Sequence, residues 1–268
     1  MAGAKTTVKG PGMKIIATSV AQPAGKSSCK NCFQFQNCLW GEYLTEQLPE
    51  FERLITHKRP FGRGQHVVMA GQKSEGLCLV RSGCLKAYTV NKEGESQVIG
   101  FYMPGELVCI DDLCNGIYPY NVEALDTSSV CIIPLEALFR LSSLYPTVIQ
   151  KVLEKLSYNM RREHEQMFVL TKMNAKQRLA AFLIDISDRM ERCHQADDGE
   201  LNISMRRSDI ANFLGMATET VSRWMSRFQN EGIIRVNRRH ITIKDMQKLK
   251  LVMNCAESSI ELPLEKTA

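Results

Sequence analysis

Several things are missing from this 268-residue chain. No stretch approaches the roughly 20 consecutive apolar residues that a membrane-crossing helix needs. The N-terminal lysines are not followed by the apolar core of a signal peptide, so the expectation is a cytoplasmic protein with no membrane partner. Glycine-rich dinucleotide and phosphate loops are lacking, as is any nucleophile and base set, which argues against an enzyme. Acids are absent from residues 1–28, where Lys5, Lys9, Lys14 and Lys26 stand among Gly, Pro, Ser and Ala without a clear period. That segment reads as a flexible arm.

What is present points elsewhere. With 44% apolar residues the chain can build real cores. Its net charge of +5 is modest, but residues 201–250 carry ten Lys or Arg against four acids, Asp209, Glu219, Glu231 and Asp245. Such a local excess suits phosphate backbones, although a solvated face gives the same count. Ten cysteines in a reducing compartment do not suggest a disulfide framework; clustered ones read better as metal or redox groups.

From about Leu54 to Ile133 the chain alternates short β-rich runs with frequent glycines, the pattern of a small antiparallel barrel or roll. Residues 91–95 form a hairpin connection in which Gly94 supplies a positive φ. After Pro134 the period becomes helical. Val152, Leu156, Met160, Met167 and Leu170 recur at spacings of three, four or seven, a stripe suited to pairing with a second copy or to packing on its own barrel. Glu163 stands where that stripe next calls for an apolar residue. Asn174 and Gln177 then form an N-cap pair that opens a further helix. The division expected is a flexible arm (1–28), a cysteine segment with barrel (29–145), a long helix (146–173), a DNA-binding domain (174–250) and a tail (251–268).

Residues 207–229 read as a helix-turn-helix. Ile210, Phe213 and Leu214 share one face, Gly215 breaks the helix, and Val221, Trp224, Met225 and Phe228 repeat in a second helix. This register leaves Thr218, Glu219, Ser222 and Arg223 on the polar side near the start of the second helix, where base edges are met in the major groove. Arg223 can donate twice to guanine, Glu219 can accept from cytosine, and Ser222 can contact a neighbouring pair. The plain alternative is an intrahelical Glu219–Arg223 ion pair, worth only about 0.2 to 0.5 kcal/mol. Residues 233–243 look like two strands around a basic turn, a wing. Arg206, Arg207, Arg227, Arg235, Arg238 and Arg239 are expected on backbone phosphate, giving affinity more than specificity.

Cys29, Cys32 and Cys38 follow a C-x2-C-x5-C spacing. Three thiols need a fourth ligand, and spacing alone does not choose it from Cys78, Cys84, Cys109, Cys114, Cys131, Cys193 and Cys255. Zinc and iron–sulfur are equally compatible with four thiolates. The remaining cysteines read as small buried hydrophobes, although Cys109 and Cys114 lie in a segment where ligand exchange is conceivable. Phe33, Phe35, Leu39 and Trp40 either shield such a centre or pack on the barrel.

Barrel, long helix and winged helix-turn-helix in that order resemble the Crp/Fnr family of bacterial regulators over about residues 29–245. The strings that carry the likeness are Arg81-Ser82-Gly83, Gly94-Glu95 with Gln97, Gly100-Phe101, Glu123-Ala124-Leu125, Val130-Cys131-Ile132-Ile133-Pro134, Asn174-Ala175, Arg178 through Phe182, and Glu219-Thr220-Val221-Ser222-Arg223. The resemblance implies an α+β chain: an N-terminal β-roll (jelly-roll barrel) of the cyclic-nucleotide-binding kind, a dimerisation helix and a C-terminal winged helix-turn-helix. The chain looks most like the family's Fnr branch, which implies a global-type regulator of anaerobic metabolism. Such a protein senses oxygen through a 4Fe-4S cluster, one per subunit, and binds inverted repeats of the TTGAT type as a homodimer to activate or repress transcription.

The family pattern also selects Cys131 as fourth ligand beside Cys29, Cys32 and Cys38. It implies that oxygen converts the cluster to a 2Fe-2S form and loosens the dimer, with paired Glu163 carboxylates keeping that dimer marginal. RNA polymerase contacts are implied at residues 91–95 and near Tyr118 to Tyr120, although Lys92 departs from the acid expected in that turn. Relatives that bind cyclic AMP grip its phosphate with an Arg-Ser pair. Here the stretch reads Tyr118-Pro119-Tyr120-Asn121, and no Lys or Arg occurs between Lys92 and Arg140, so no cyclic nucleotide is expected. The competing readings are a zinc-bound or cluster-free constitutive DNA binder and an iron–sulfur electron carrier.

Overall fold

The structure, a computed structural model, describes residues 54–58, 60–113, 115–193, 200–238 and 240–254, together with Cys29, Cys32 and Cys38. Residues 1–28, Phe33, Phe35, Leu39, Trp40, Cys114, Arg239, Cys255 and most of the 251–268 tail, named above, lie outside the described residues.

Strands β1 (Thr56–His57), β2 (His66–Val68), β3 (Leu77–Ser82), β4 (Leu85–Val90), β5 (Ser96–Tyr102), β6 (Leu107–Val108), β7 (Asn121–Ala124) and β8 (Ser129–Ile133) form two antiparallel sheets, ordered β1-β8-β3-β6 and β2-β7-β4-β5. Side chains of both sheets, among them Val68, Cys78, Val80, Leu85, Val122, Val130 and Ile132, meet in one apolar cluster. Alternate residues of β3 and β8 point the other way. Leu77, Leu79, Cys131 and Ile133 are covered through Leu138, Leu141, Val148 and Val152 of helices α1 (Leu135–Leu144) and α2 (Pro146–Lys172). Burial on both faces explains why these strands read as unbroken apolar runs rather than as alternations.

Local chemistry sets the joints. The 91–95 hairpin closes through Asn91 N to Glu95 O at 3.0 Å, with Gly94 at φ 84°. Pro146 opens α2 at a position where its missing N–H leaves no bond unmade. Helix α3 (Ala175–Arg192) begins with a reciprocal capping box: Gln177 N donates to Asn174 Oδ1 at 3.1 Å and Asn174 N donates to Gln177 Oε1 at 3.0 Å.

Helices α4 (Arg207–Phe213), α5 (Thr218–Asn230) and α6 (Met246–Asn254) pack with α3 and a sheet ordered β10-β11-β9, made of β10 (Ile234–Asn237), β11 (His240–Ile243) and β9 (Glu200–Asn202). Helix α6 runs past the expected boundary at residue 250. Leu249 is fully buried and Gln177 Nε2 donates to Met253 O at 3.2 Å, so the C-terminal unit extends to Asn254.

Candidate nucleic-acid interface and cysteine site

The helix-turn-helix is built from the apolar spacing of α4 and α5. Ile210, Leu214, Val221, Met225 and Phe228 are buried, with Phe213 and Trp224 packed against them. Gly215, at φ 61°, makes the turn between the helices. Arg178 clamps that turn to the end of the long helix: Nη1 donates to Leu214 O at 3.0 Å, Nε to Met173 O at 2.9 Å and Nη2 to Leu170 O at 2.8 Å.

The opposite face of α5 is open. Glu219 and Arg223 are exposed, and Thr218 and Ser222 are half-buried beside them. Among the described residues no ion pair joins Glu219 to Arg223, so both keep their hydrogen-bonding capacity for a ligand. Arg206, Arg207, Arg235 and Arg238 are also exposed. Arg227 is pinned between Glu231, at 3.1 Å, and the Trp224 ring, 5.1 Å from its centroid.

This domain is docked firmly on the barrel. Arg189 of α3 is 2% exposed and donates to both Glu106 carboxylate oxygens, at 2.8 and 2.6 Å, to Asp185 at 2.9 Å and to Phe101 O at 2.5 Å. Arg162 of α2 approaches Glu106 and Asp185 at 3.9 Å. Burial pushes the Glu106 carboxyl up, but Arg189 and Arg162 outweigh it and hold the group below the usual carboxylate range. Lys86 binds Asp209 of α4 at 3.0 Å, and Asn212 accepts from Val98 N at 2.5 Å and donates to Ser96 O at 2.8 Å.

On the long helix the expected stripe divides. Val152 is 2% exposed and buried in its own barrel's core, which leaves it no surface for a partner, whereas its neighbour Leu153 is 58% exposed. Leu156 packs partly on the barrel, Met160 and Met167 are exposed, and Leu170 is half-buried. The exposed apolar side chains of this helix are Leu153, Met160 and Met167, with the exposed Glu163 between the two methionines. Partial burial and the nearby Asp111 push the Glu163 carboxyl up, opposed by Arg162 and His164.

On the side of the barrel that α1 and α2 cover, Cys29 and Cys38 pack against the cluster that contains Ile55, Leu79, Leu107 and Cys131. Cys32 N donates to Cys29 O at 3.0 Å, turning the segment back on itself. Burial pushes the Cys131 thiol up; Cys38, Cys29 and Cys32 add to that, and Arg81 opposes it. The three N-terminal thiols thus lie near enough to Cys131 to act on it. Among the described residues no three His, Cys, Asp or Glu side chains sit at metal-holding spacing. In donor type the four thiols fit a four-thiolate centre, and Cys29 and Cys38 pack on the cluster that contains Cys131. Cys78, Cys84, Cys109 and Cys193 are each buried elsewhere in apolar surroundings.

Two further sites depart from expectation. Tyr118 and Tyr120 are 2% and 4% exposed, with their hydroxyls accepting from Glu75 N and Cys109 N at 3.1 Å. Both tyrosines are buried, and the surface near them belongs to Ile117 and Pro119. The second is His57, whose Nδ1 lies 3.3 Å from Cys131 Sγ. Nothing in the local sequence marks His57, because β1 and β8 are brought together only by the fold.

A basic, outward-facing recognition helix with a wing, docked on a two-sheet barrel, defines a winged helix-turn-helix regulator of transcription. Family comparison agrees: residues 177–252 match the Crp-like helix-turn-helix domain and residues 58–145 the cyclic nucleotide-binding domain. The chain is 34% identical over 256 residues to an anaerobic regulatory protein of Aggregatibacter actinomycetemcomitans, covering 93% of this chain and 99% of that one. It is 34% identical over 221 residues to the fumarate and nitrate reduction regulatory protein of Escherichia coli, covering 82% and 88%. FixK2 from Bradyrhizobium japonicum shares the fold at a TM-score of 0.66 and 24% identity, over 74% of this chain and 96% of that one. The protein belongs to the Crp/Fnr family. Among the described residues no helix is long and apolar enough to cross a membrane.

Proposed function

We propose that this regulator responds to oxygen in the cytoplasm: Cys29, Cys32, Cys38 and Cys131 hold a 4Fe-4S cluster, and the holo form binds TTGAT-type inverted repeats as a homodimer, activating or repressing genes of anaerobic metabolism. The observation that carries this reading is the position of Cys131. It lies on the outer face of β8, inside the apolar cluster that Cys29 and Cys38 join, with all three N-terminal thiols acting on it. The names of the curated relatives, anaerobic and fumarate and nitrate reduction, point the same way.

When bound, the cluster supplies oxygen-reactive iron; the chain supplies its anchorage. A centre that ties Cys29, Cys32 and Cys38 to β8 would hold them on the apolar cluster that also contains Val148 and Val152 of α2, the helix whose opposite face carries Leu153, Met160 and Met167. Dimerisation through that face sets two α5 helices on half-sites about one helical turn apart. There Arg223, Glu219, Ser222 and Thr218 meet base edges, while Arg206, Arg207, Arg227, Arg235, Arg238 and Arg239 meet phosphates. RNA polymerase is contacted from the exposed 91–95 turn and from Ile117 and Pro119. The lack of any Lys or Arg between Lys92 and Arg140 supports a barrel that takes no cyclic nucleotide.

The test is iron, zinc and sulfide analysis of anaerobically purified protein, with visible absorbance and binding to a TTGAT repeat before and after air. Iron and sulfide in equal amounts, colour lost in air and weakened DNA binding are expected. Zinc without sulfide, and binding indifferent to air, would establish the constitutive alternative instead.

A further inference from the structure

His57 and Cys131 are register partners across the β1–β8 ladder, so their side chains leave the sheet on the same face as close neighbours. The ring is held there by backbone, not by its own flexibility: Thr56 pairs with Ile132, and Lys58 N donates to Val130 O at 3.1 Å. Lys58 Nζ then binds Glu75 at 2.7 Å, anchoring the strand end. The result is an imidazole nitrogen 3.3 Å from the sulfur of Cys131.

That sulfur lies among Ile55, Leu79, Leu107 and Val152. A thiolate in apolar surroundings needs donors, because an unpaired buried anion is costly. Arg81 supplies positive potential, and the three other thiols oppose it. A ring N–H directed at Sγ is the remaining kind of help such a ligand needs, and partners of this sort orient metal ligands and tune what they bind.

We propose that His57 is the positioning residue of the cysteine site, donating its Nδ1 hydrogen to the Cys131 thiolate and holding that sulfur toward Cys29, Cys32 and Cys38. This rests on the four-thiolate reading above, though not on the identity of the metal. His57 acts through Cys131 and is not itself a ligand.

The test uses the cluster-free full chain under anaerobic conditions, titrated with Co(II) alone, in the wild type, His57→Ala and His57→Asn. Asparagine retains an N–H close to the place of Nδ1. All three proteins are expected to show the same all-sulfur charge-transfer and ligand-field bands. Affinity is expected to fall on the order of tenfold in His57→Ala and to recover in His57→Asn. Unchanged affinity in His57→Ala overturns the proposal, and so do ligand-field bands that change in that variant, since they would make His57 a ligand. In iron–sulfur protein, hydrogen bonds to sulfur raise the potential, so the midpoint should fall in His57→Ala and return in His57→Asn. A wild type that binds Co(II) as expected but contains no sulfide when purified anaerobically defeats the iron–sulfur reading and leaves the role of His57 intact.

Discussion

The barrel carries two docked partners, and they are held in opposite ways. The DNA-binding domain is fixed by groups that satisfy one another: Arg189 spends its guanidinium on Glu106, Asp185 and Phe101 O, while Lys86, Asp209 and Asn212 close the adjoining edge. At the cysteine site, Cys29 and Cys38 are half-buried and pack on the apolar cluster that contains Cys131. The first junction is made by charged and polar groups that satisfy one another; at the second, the proposed cluster would add the tie between Cys131 and the N-terminal thiols. The two are also close in the ladder, since Leu79 of β3 pairs with Cys131 on one side and Leu107 on the other, and Glu106 precedes Leu107.

The largest effect should come from breaking the saturated junction. Arg189→Met leaves the Glu106 carboxyl buried without its partner, which typically costs about 3 to 5 kcal/mol; urea unfolding should show it, and Arg189→Met combined with Glu106→Gln should recover much of the loss. The pH dependence follows from the depressed Glu106 carboxyl. A folded-state value below the unfolded one gives stability that is present above the ordinary carboxylate range and lost as pH falls through the folded value. Glu106→Gln should therefore flatten the acid limb, and an unchanged limb would remove Glu106 from the account.

The long helix offers the next contrast, between adjacent residues. Val152→Ala should lower the unfolding free energy of the subunit by about 2 to 3 kcal/mol, because it empties a packed core. Leu153→Ala should leave the subunit's stability nearly unchanged and weaken self-association by sedimentation. Equal effects in both assays would erase the two-faced reading of α2. On the recognition helix, Arg223→Ala should cost about 1 to 3 kcal/mol on a TTGAT repeat and little on random DNA, without altering the melting temperature. Equal losses on both DNAs would mean that Arg223 touches only phosphate.

The same contrast explains what the sequence disclosed. Features written in a local period were legible: the α4–α5 pair from Ile210 to Phe228, the Asn174–Gln177 cap and the Gly94 hairpin each involve residues a turn or two apart. The Arg189–Glu106 pair spans 83 positions, and no period announces it. Strand β9 is three residues long, too short to alternate visibly. Helix α2 is apolar on two sides, so spacing alone took Val152 for the seam when Leu153 faces outward. Family likeness implies a surface contact near Tyr118 and Tyr120, yet each hydroxyl accepts from a backbone N–H and both residues are buried. At the cysteine site the three clustered thiols were plain in the spacing, the fourth came through family likeness, and His57 came only from strand register.

The smallest effect concerns Glu163, on the seam between Met160 and Met167. Its carboxyl is already pushed up within one subunit by partial burial and by Asp111. Facing its copy across a dimer seam, it would be pushed up further, because two close carboxylates resist joint ionisation. A group that binds its proton more tightly in the dimer makes association strongest below its value in the lone subunit and progressively weaker as pH rises through the value in the dimer. Lowering the pH from neutrality toward the upper carboxylate range should therefore strengthen self-association of the cluster-free protein. Glu163→Ala should strengthen it at neutral pH by about 1 kcal/mol, the scale of one partly solvated like-charge contact, and remove that pH dependence. If Glu163→Ala leaves both the dimer constant and its pH slope unchanged, the acid does not face its copy, and the marginal strength of the seam must come from Met160 and Met167.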